Sequence, residues 1–532
     1  MKRFIFIVAV LVICAIFTLA CAAPAPTQTP GAQQPTTTTA KPSLTPQAGG
    51  NFKLILSGNS ASLGTIGSPS EGVVHRVSEV VFEFLLRYDT DGRFQPRLAE
   101  SWEIAPDGKS LTLRLRKGVK FHDGTDFNAE AVKYNLENYT SGTTKVRPAT
   151  LLNISSYDII DPYTIRLNLK VFDIVLLDQL SDASGMMASP TALKIPTSTD
   201  TLTNIKNHMV GTGPFTFVSW QRATSASFKK YDGYWQKGKP YLDNWDISAV
   251  VDTAVSVMSF KRAEANLIYG LTARDAHDLA ALGYEVVVTD AHPVIYMIPD
   301  GANADSPFAN IKLRQAVEYA IDKKSIAAAI GQEYYTPLYQ LAEPQDARFV
   351  QGLTTRNYDP KKAKQLVAEA GYPNGFKTTI ITDTAANRDV MVAIQTNLKE
   401  AGIEATLDFQ DATRMTNTTQ KGWKNGLLMP VTGLLVSLRS FSQRFASTTA
   451  SVSMFKPSGW QEKVDATVAQ PDDNKRLSQY RELTKIMFDQ VMVIPLWTSP
   501  ELSAMDKKIH DIKWTKGGHP RFYEPQDAWL SK

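Results

Sequence analysis

Cysteine is almost absent from this chain of 532 residues. Its two cysteines, Cys14 and Cys21, both lie within the first 21 residues, so the remainder of the chain has no thiol. That excludes a disulfide framework, a thiolate nucleophile and a cysteine-ligated zinc site from the folded part. The length exceeds what one hydrophobic core can hold, so two or more lobes are expected.

A strong charge of either sign is also lacking. The 57 Lys and Arg residues against 53 Asp and Glu leave a formal net charge of +4. Nucleic-acid binding needs a concentrated basic surface, and the lysine pairs of this chain are scattered. We therefore expect no nucleic-acid partner.

Motifs for metal or nucleotide chemistry are missing as well. The seven histidines are scattered with none four residues from another, and H-E-x-x-H does not occur. The tripeptide Gly108-Lys109-Ser110 matches the end of a phosphate-binding loop, but Glu103 stands where its first glycine belongs. We expect no cofactor, no metal and no catalytic residues. Carboxylates are numerous enough to keep a surface hydrolase as an alternative.

The N-terminus has the pattern of a secretion signal. Lys2 and Arg3 precede an apolar run from Phe4 to Ala20, and Cys21 follows directly. The sequence Thr18-Leu19-Ala20-Cys21 resembles a bacterial lipobox, which predicts a lipoprotein signal peptide over residues 1–21 and a lipid on Cys21. Ordinary secretion and an uncleaved anchor are the alternatives. The prediction is an extracytoplasmic protein held at the cell membrane by that lipid.

Large apolar and charged residues are scarce in residues 22–49, which are rich in Pro, Thr, Gln and Ala. Such a segment buries too little surface to offset the entropy of ordering it. It predicts a disordered linker between the membrane and the body.

Within the body, hydrophobic periodicity predicts alternating strands and helices. Apolar residues at helical spacing predict a helix over Val73–Leu86. Alternating residues predict the strand pair Ala99–Ile104 and Ser110–Leu115, and Asn128 is predicted to cap the next helix. Beyond residue 310, helices and strands alternate, which is typical of a mixed sheet flanked by helices. The apolar run Val491–Trp497 is predicted to be a late strand.

Four sequence blocks resemble a known family. They contain Pro96-Arg97-Leu98-Ala99-Glu100-Ser101-Trp102 with Phe121-His122-Asp123-Gly124-Thr125, then Gly211-Thr212-Gly213-Pro214-Phe215, then Leu313-Arg314-Gln315-Ala316 with Tyr319-Ala320-Ile321-Asp322, and then Ala370-Gly371-Tyr372-Pro373-Asn374-Gly375-Phe376. In this order they resemble the bacterial extracellular solute-binding proteins of family 5, which serve peptide, nickel and opine ABC importers.

The resemblance implies an α/β, two-lobe periplasmic-binding-protein-like fold (type II, cluster C) with an extra subdomain in lobe one. Lobe one would span residues 50–290, with the subdomain at about 86–194. Lobe two would span 291–494, and residues 495–532 would return to lobe one.

The resemblance also implies a function. A monomer would capture a small ligand, such as a peptide, an opine or a glycoside, in the interlobe cleft and hand it to ABC permease and ATPase subunits. A signalling receptor on the same fold and nickel or haem transport are further alternatives.

Acidic residues are lacking from Ala412 to Trp460. Relatives that bind free peptides usually place an aspartate in this region to neutralise the ligand's ammonium group. An uncompensated buried ammonium is costly, so we expect a neutral or anionic ligand, unless an acid comes from elsewhere in the chain.

Candidate ligand-binding residues follow from topology, because loops after strands line the cleft in open α/β lobes. They are Asn59 and Ser60 after the first strand, Thr432 and Arg439 in the acid-free segment, and Trp497 and Thr498 after the late strand.

Overall fold

The computed structural model describes residues 45–58, 75–88, 93–140, 150–196, 198, 200–288, 293–431, 433, 438–446, 450–513 and 524–532. Pro46–Lys532 forms one compact unit. The predicted signal peptide, Cys21 and most of the linker lie outside the described residues. Within the described ranges, no helix is both long enough and apolar enough to cross a membrane.

Twenty strands occur in the described residues. In chain order, β1 to β20 are Asn51–Ser57, Leu86–Tyr88, Phe94–Pro96, Ala99–Ile104, Ser110–Leu115, Ile154–Asp161, Thr164–Leu169, Phe215–Gln221, Ser225–Lys230, Asn244–Val250, Leu267–Leu271, Glu285–Val288, Val294–Pro299, Phe376–Asp383, Ile403–Gln410, Gly426–Leu428, Ile494–Thr498, Leu502–Met505, Ile509–His510 and Trp529–Leu530.

The same part of the chain contains fifteen α-helices. In chain order, α1 to α15 are His75–Ser78, Ala129–Thr140, Val175–Leu180, Pro190–Leu193, Thr201–His208, Thr253–Lys261, Ala273–Ala281, Ile311–Ala320, Lys323–Gly331, Pro360–Glu369, Arg388–Glu400, Ala412–Lys421, Leu438–Ser440, Trp460–Val468 and Asp473–Asp489. A π-helical turn, Phe441–Ala446, continues α13.

Lobe one is built on a seven-stranded sheet in the order β12-β18-β11-β1-β10-β9-β8. Its centre is parallel, because β1 pairs in parallel with both β10 and β11. Apolar clusters cover both faces, and this explains why Leu54–Ser57 is buried without alternation. Asp252 and Thr272 cap α6 and α7, the helices that follow β10 and β11.

A four-stranded antiparallel sheet in lobe one, β4-β5-β7-β6, has an apolar cluster of its own. The predicted alternation on β5 holds, with Leu111, Leu113 and Leu115 buried. The side chain of Asn128 accepts a hydrogen bond from the Ala131 amide (3.0 Å), so it caps α2 as predicted.

Lobe two is built on a five-stranded sheet in the order β15-β14-β16-β13-β17. Strand β14 pairs in parallel with β15 and β16, whereas β13 runs antiparallel to its neighbours. One apolar cluster packs α8, α10 and α11 against the sheet, and a second lies around α14 and α15. The predicted alternation of helices and strands is therefore confirmed here.

The chain crosses between the two large sheets twice. It passes from β12 to β13, and it returns from β17 to β18. The amide of Ser499 donates to the carbonyl of Pro293 (2.8 Å), so the two crossings lie side by side. The late strand is Ile494–Thr498 and belongs to lobe two, which places the return to lobe one between Thr498 and Leu502.

The helix predicted over Val73–Leu86 is wrong for most of its length, since α1 ends at Ser78. Two glycines explain why. The amide of Gly213 donates to the Val81 carbonyl (2.8 Å). A Cβ on Gly211 or Gly213 would lie 2.1 or 2.6 Å from that oxygen. The Val81 carbonyl is thus used in a tertiary contact, and the apolar side chains reach the core from a turn.

A buried ionic network joins the C-terminal segment to lobe one. The Arg97 guanidinium contacts the carboxylates of Glu83 and Glu524, each at 2.9 Å. Tyr234 Oη and Trp235 Nε1 both donate to Glu83 (2.9 Å each). Every oxygen of Glu83 therefore has a donor, which a buried carboxylate requires.

His122 lies between the two sheets of lobe one. Its Nε2 donates to the Gly213 carbonyl (2.9 Å), and its ring meets Tyr231 edge-on. Its Nδ1 is buried without a hydrogen-bond partner among the described residues. Burial lowers the pKa of His122 to about 4, against the opposing effects of the Gly213 hydrogen bond and the Asp123 charge.

This depressed pKa predicts a pH dependence of stability. Between pH 6.5 and about 4 the unfolded state binds more protons than the folded state, so stability falls as the pH is lowered through this window. The loss is at most about 3 kcal/mol. His122→Gln keeps a donor for Gly213 and should flatten the profile, as measured by urea unfolding at several pH values. His208→Gln, which changes another half-buried ring bonded to main-chain carbonyls, should leave the slope in place; equal slopes in all three proteins would contradict the assignment.

Candidate functional site

The lobes meet beside the double crossing. The Thr498 amide donates to the Thr336 carbonyl (2.8 Å), and the Thr336 amide donates to Thr498 Oγ1 (3.3 Å). Trp497 pairs with Ile295 in the sheet of lobe two. The crossing strands are thus fixed to lobe two as far as Thr498.

Parallel strands of both lobes end near the region expected to hold the ligand. In lobe one these ends are Ser57, Val250 and Leu271, and in lobe two β14 ends at Asp383. Asp383 accepts hydrogen bonds from the amides of Ala385 (2.9 Å) and Val431 (3.3 Å). Ligands of open α/β sheets bind at the carboxyl ends of the strands, so these ends define the candidate cleft.

Three of the predicted ligand-binding residues, Asn59, Ser60 and Thr432, lie outside the described residues. Trp497 is 3% exposed and packs in the core of lobe two, and Thr498 is 1% exposed. The side chains of both are therefore occupied by contacts within the protein.

Arg439 is placed at a contact between the lobes. Its Nη1 lies 2.9 Å from Asp182 Oδ2 and 3.8 Å from Asp178 Oδ2, and both aspartates belong to lobe one. With its amide oxygen turned to the guanidinium, Gln179 accepts from Arg439 at 3.0–3.1 Å and donates to Ser184 Oγ. Two carboxylates and an amide oxygen from lobe one therefore surround this guanidinium.

This placement corrects one inference from the sequence. The segment from Ala412 to Trp460 lacks acids, but lobe one supplies Asp178 and Asp182 to it. Arg439 is thus neutralised within the protein and is not a spare cation for an anionic ligand. Sequence reasoning missed both aspartates, although their spacing of four in an apolar stretch puts them on one side of a helical turn.

The contact continues through backbone and apolar groups. The Ile174 amide donates to the Val468 carbonyl across the lobes (3.0 Å). Val468, at the end of α14 in lobe two, packs in the apolar cluster of the four-stranded sheet, and Leu438 packs against clusters of both lobes. The interlobe contact therefore combines a buried ion pair with a small apolar seam.

Asp173, a carboxylic acid whose ionised form is disfavoured, also lies at this contact. Burial, together with the negative charges of Asp178 and Asp465, raises the pKa of Asp173 to about 6, against the opposing effect of a hydrogen bond from the Val175 amide. Asp465 belongs to α14 of lobe two, so part of the electrostatic repulsion on Asp173 acts between the lobes.

A cavity of about 10 Å³ lies inside lobe two rather than between the lobes. It borders Glu318, which pairs with Lys323 (3.5 Å) and with Arg356. Ligand pockets usually exceed about 300 Å³, and these charged groups already satisfy one another. Among the described residues, no group of three or more His, Cys, Asp or Glu side chains is placed to hold a metal ion.

The raised pKa of Asp173 predicts that Asp173→Asn stabilises the protein above pH 6. Because the folded state binds the extra proton, stability falls as the pH rises from 3.8 to about 6, and the amide removes this loss of at most about 3 kcal/mol. The asparagine oxygen can still accept from Val175. The gain should vanish near pH 4 in thermal unfolding.

The control is Asp161→Asn. A backbone hydrogen bond lowers the pKa of Asp161, so this substitution should lower stability where Asp173→Asn raises it. A loss of stability in Asp173→Asn at pH 7.5 would refute the assignment.

Comparison with known proteins gives relatives over most of the chain. The family described as bacterial extracellular solute-binding proteins, family 5 Middle, matches residues 93–450. The glutathione-binding protein GsiB of Salmonella typhimurium is 31% identical over 451 residues, which cover 81% of this chain and 86% of that protein.

Solved structures confirm the two-lobe α/β fold. The binding protein AgaA from A. tumefaciens R10, in complex with agropinic acid, matches with a TM-score of 0.73 at 24% identity, covering 91% of this chain and 99% of the other. The periplasmic binding protein DppA from Helicobacter pylori, in complex with the peptide STSA, matches with a TM-score of 0.73 at 22% identity and the same coverage.

These matches give no support to the hydrolase or receptor alternatives, because members of the family are transport binding proteins. The chain therefore belongs to the bacterial extracellular solute-binding proteins of family 5, and it is the extracytoplasmic solute-binding component of an ABC importer rather than an enzyme.

Proposed function

We propose that this protein captures a short peptide or a peptide-like compound that carries carboxylates. The observation that carries the proposal is the 31% identity, over 81% of the chain, to a protein named for binding glutathione. Glutathione is a tripeptide with one ammonium and two carboxylate groups, so it is a net anion at neutral pH.

The ligand site of this proposal is the interlobe cleft at the carboxyl ends of the parallel strands. In sequence, Asn59 and Ser60 come shortly after β1, and Thr432 comes four residues after the end of β16, which is the basis for proposing them as ligand-binding residues. Trp497 and Thr498 would frame the cleft at the crossing. We assign Arg439 to the contact between the lobes, since two aspartates already hold it.

The proposal includes the organisation of the chain. Lobe one takes residues 50–290 with a subdomain at about 86–194, lobe two takes most of 291–494, and the C-terminal residues return to lobe one. Residues 22–49 tether this body, as a monomer, to a lipid on Cys21. The permease and ATPase of the importer are the partners.

Ligand binding is tested by thermal unfolding of the purified protein with reduced glutathione, a free tetrapeptide, an opine, an oligosaccharide and chelated nickel. A ligand at 100 times its Kd stabilises by about 2.7 kcal/mol, so glutathione or the peptide should raise the Tm by several degrees. An equimolar mixture of glutamate, cysteine and glycine is the control and should do nothing. A shift with the oligosaccharide or nickel chelate alone would overturn the proposal.

Lipidation is tested with two matched serine variants in a bacterial host fed a labelled fatty acid. The wild type and Cys14→Ser should incorporate the label, because Cys14 lies within the apolar run of the signal. Cys21→Ser should lose it, since the acylated thiol is gone. No label in the wild type would favour the secretion or uncleaved-anchor alternatives, and label in the Cys21→Ser protein would contradict Cys21 as the lipidated residue.

A further inference from the structure

Among the described residues, ion pairs join the lobes at two places away from the crossing. One is an ion pair between His277 on α7 and Glu333 after α9, with both side chains about half exposed. The other is the contact of Arg439 with Asp178 and Asp182, where the three side chains are 17%, 12% and 3% exposed. Exposed pairs contribute little because water and salt screen them, so only the second can bias the lobes appreciably.

The Arg439 contact has the features of a built ionic latch. A guanidinium presents five donors in a fixed fork and pairs best with several acceptors at once. Asp182 and Asp178 supply carboxylates and Gln179 supplies an amide oxygen, so the desolvated charge is well satisfied. Gln179 is itself 1% exposed, and in this orientation its amide nitrogen donates to Ser184 Oγ (2.9 Å), which holds the amide oxygen toward Arg439.

A backbone hydrogen bond and apolar packing also favour contact between the lobes. The hydrogen bond from Ile174 to Val468 and the packing of Val468 against the four-stranded sheet exist only while the lobes touch. Separating the lobes would break these contacts together, because α13 and α14 belong to lobe two while α3 belongs to lobe one.

Arg439 also balances a local excess of negative charge. Asp173, Asp178 and Asp182 come from lobe one, and Asp465 faces Asp173 from lobe two. Tyr139, the remaining titratable side chain that faces Asp182, is neutral at ordinary pH. Without Arg439, four carboxylates would meet across the interface, and their mutual repulsion would push the lobes apart.

We propose that Arg439, with Asp178, Asp182 and Gln179, forms an interlobe latch that holds the lobes together without ligand, so that part of the closing free energy comes from the protein itself. Arg439 is then a positioning residue. A ligand shifts the open–closed equilibrium only by its differential affinity for the two states. The latch determines the value of that equilibrium in the ligand-free protein. This inference deepens the proposed function but does not depend on which ligand is bound.

The latch is tested by small-angle X-ray scattering of the ligand-free protein. Arg439→Ala should raise the radius of gyration, because the carboxylates left behind repel across the contact. Adding Asp182→Asn to Arg439→Ala should bring the radius partly back, since it removes one uncompensated charge. Arg414→Ala is the matched control: its exposed ion pair with Asp408 lies within lobe two, and its radius should equal that of the wild type.

Ligand dissociation gives a second measurement with glutathione as the probe. Its dissociation should be at least tenfold faster from Arg439→Ala and unchanged in Arg414→Ala, while the Tm without ligand and the circular dichroism show that both fold. If glutathione binds neither protein, the proposed ligand is wrong and scattering alone decides the latch. The same radius of gyration in Arg439→Ala, Arg414→Ala and the wild type would overturn the latch.

Discussion

Two neighbouring strand crossings constrain how the rest of this molecule works. Strands β13 and β17 pair with each other in lobe two, and the hydrogen bond from Ser499 to Pro293 keeps their continuations together. Thr498 is bonded to Thr336 of the same lobe, so the return crossing leaves lobe two between Thr498 and Leu502. Two lobes joined by adjacent connections are built for hinge rotation, so contacts away from the crossings bear on closure.

Buried charges are surrounded by opposite charges at three places in the fold. Arg97 is shared by Glu83 and Glu524, where the C-terminal segment joins lobe one. Glu318 is shared by Lys323 and Arg356 inside lobe two. In each case a desolvated charge has opposite charges and hydrogen bonds around it, which buried ions need if they are not to destabilise the fold. The first two networks each lie within one lobe and stay intact during a rotation.

The Arg439 network obeys the same rule but spans the lobes. Opening would hydrate Arg439, Asp178 and Asp182 together, so the cost of losing the pair is partly returned by solvation. The pair therefore supplies part of the closing free energy and not all of it. The charges of Asp178 and Asp465 oppose ionisation of Asp173 at the same contact, so attraction and repulsion both act there.

Local rules allowed much of the fold to be predicted from the sequence. The alternation of β5, the cap at Asn128 and the repeated helix–strand order of lobe two depend on near neighbours along the chain. The helix expected over Val73–Leu86 failed because Gly213, more than a hundred residues away, takes the Val81 carbonyl. Trp497 was expected at the cleft from its place at the end of the late strand, and the burial of its side chain in the core of lobe two depends on packing that the strand pattern does not reveal.

The charges at the interlobe contact were less predictable, because they come from residues that are far apart in the sequence. The segment from Ala412 to Trp460, which lacks acids, belongs to lobe two only. The net charge where the lobes meet also depends on the acids that lobe one contributes. Asp178 and Asp182 lie more than 250 residues from Arg439 in sequence, and no spacing within one chain segment relates them. The guanidinium of Arg439 is therefore matched by acids of the other lobe, and the sequence of either lobe alone gives the wrong charge for their contact.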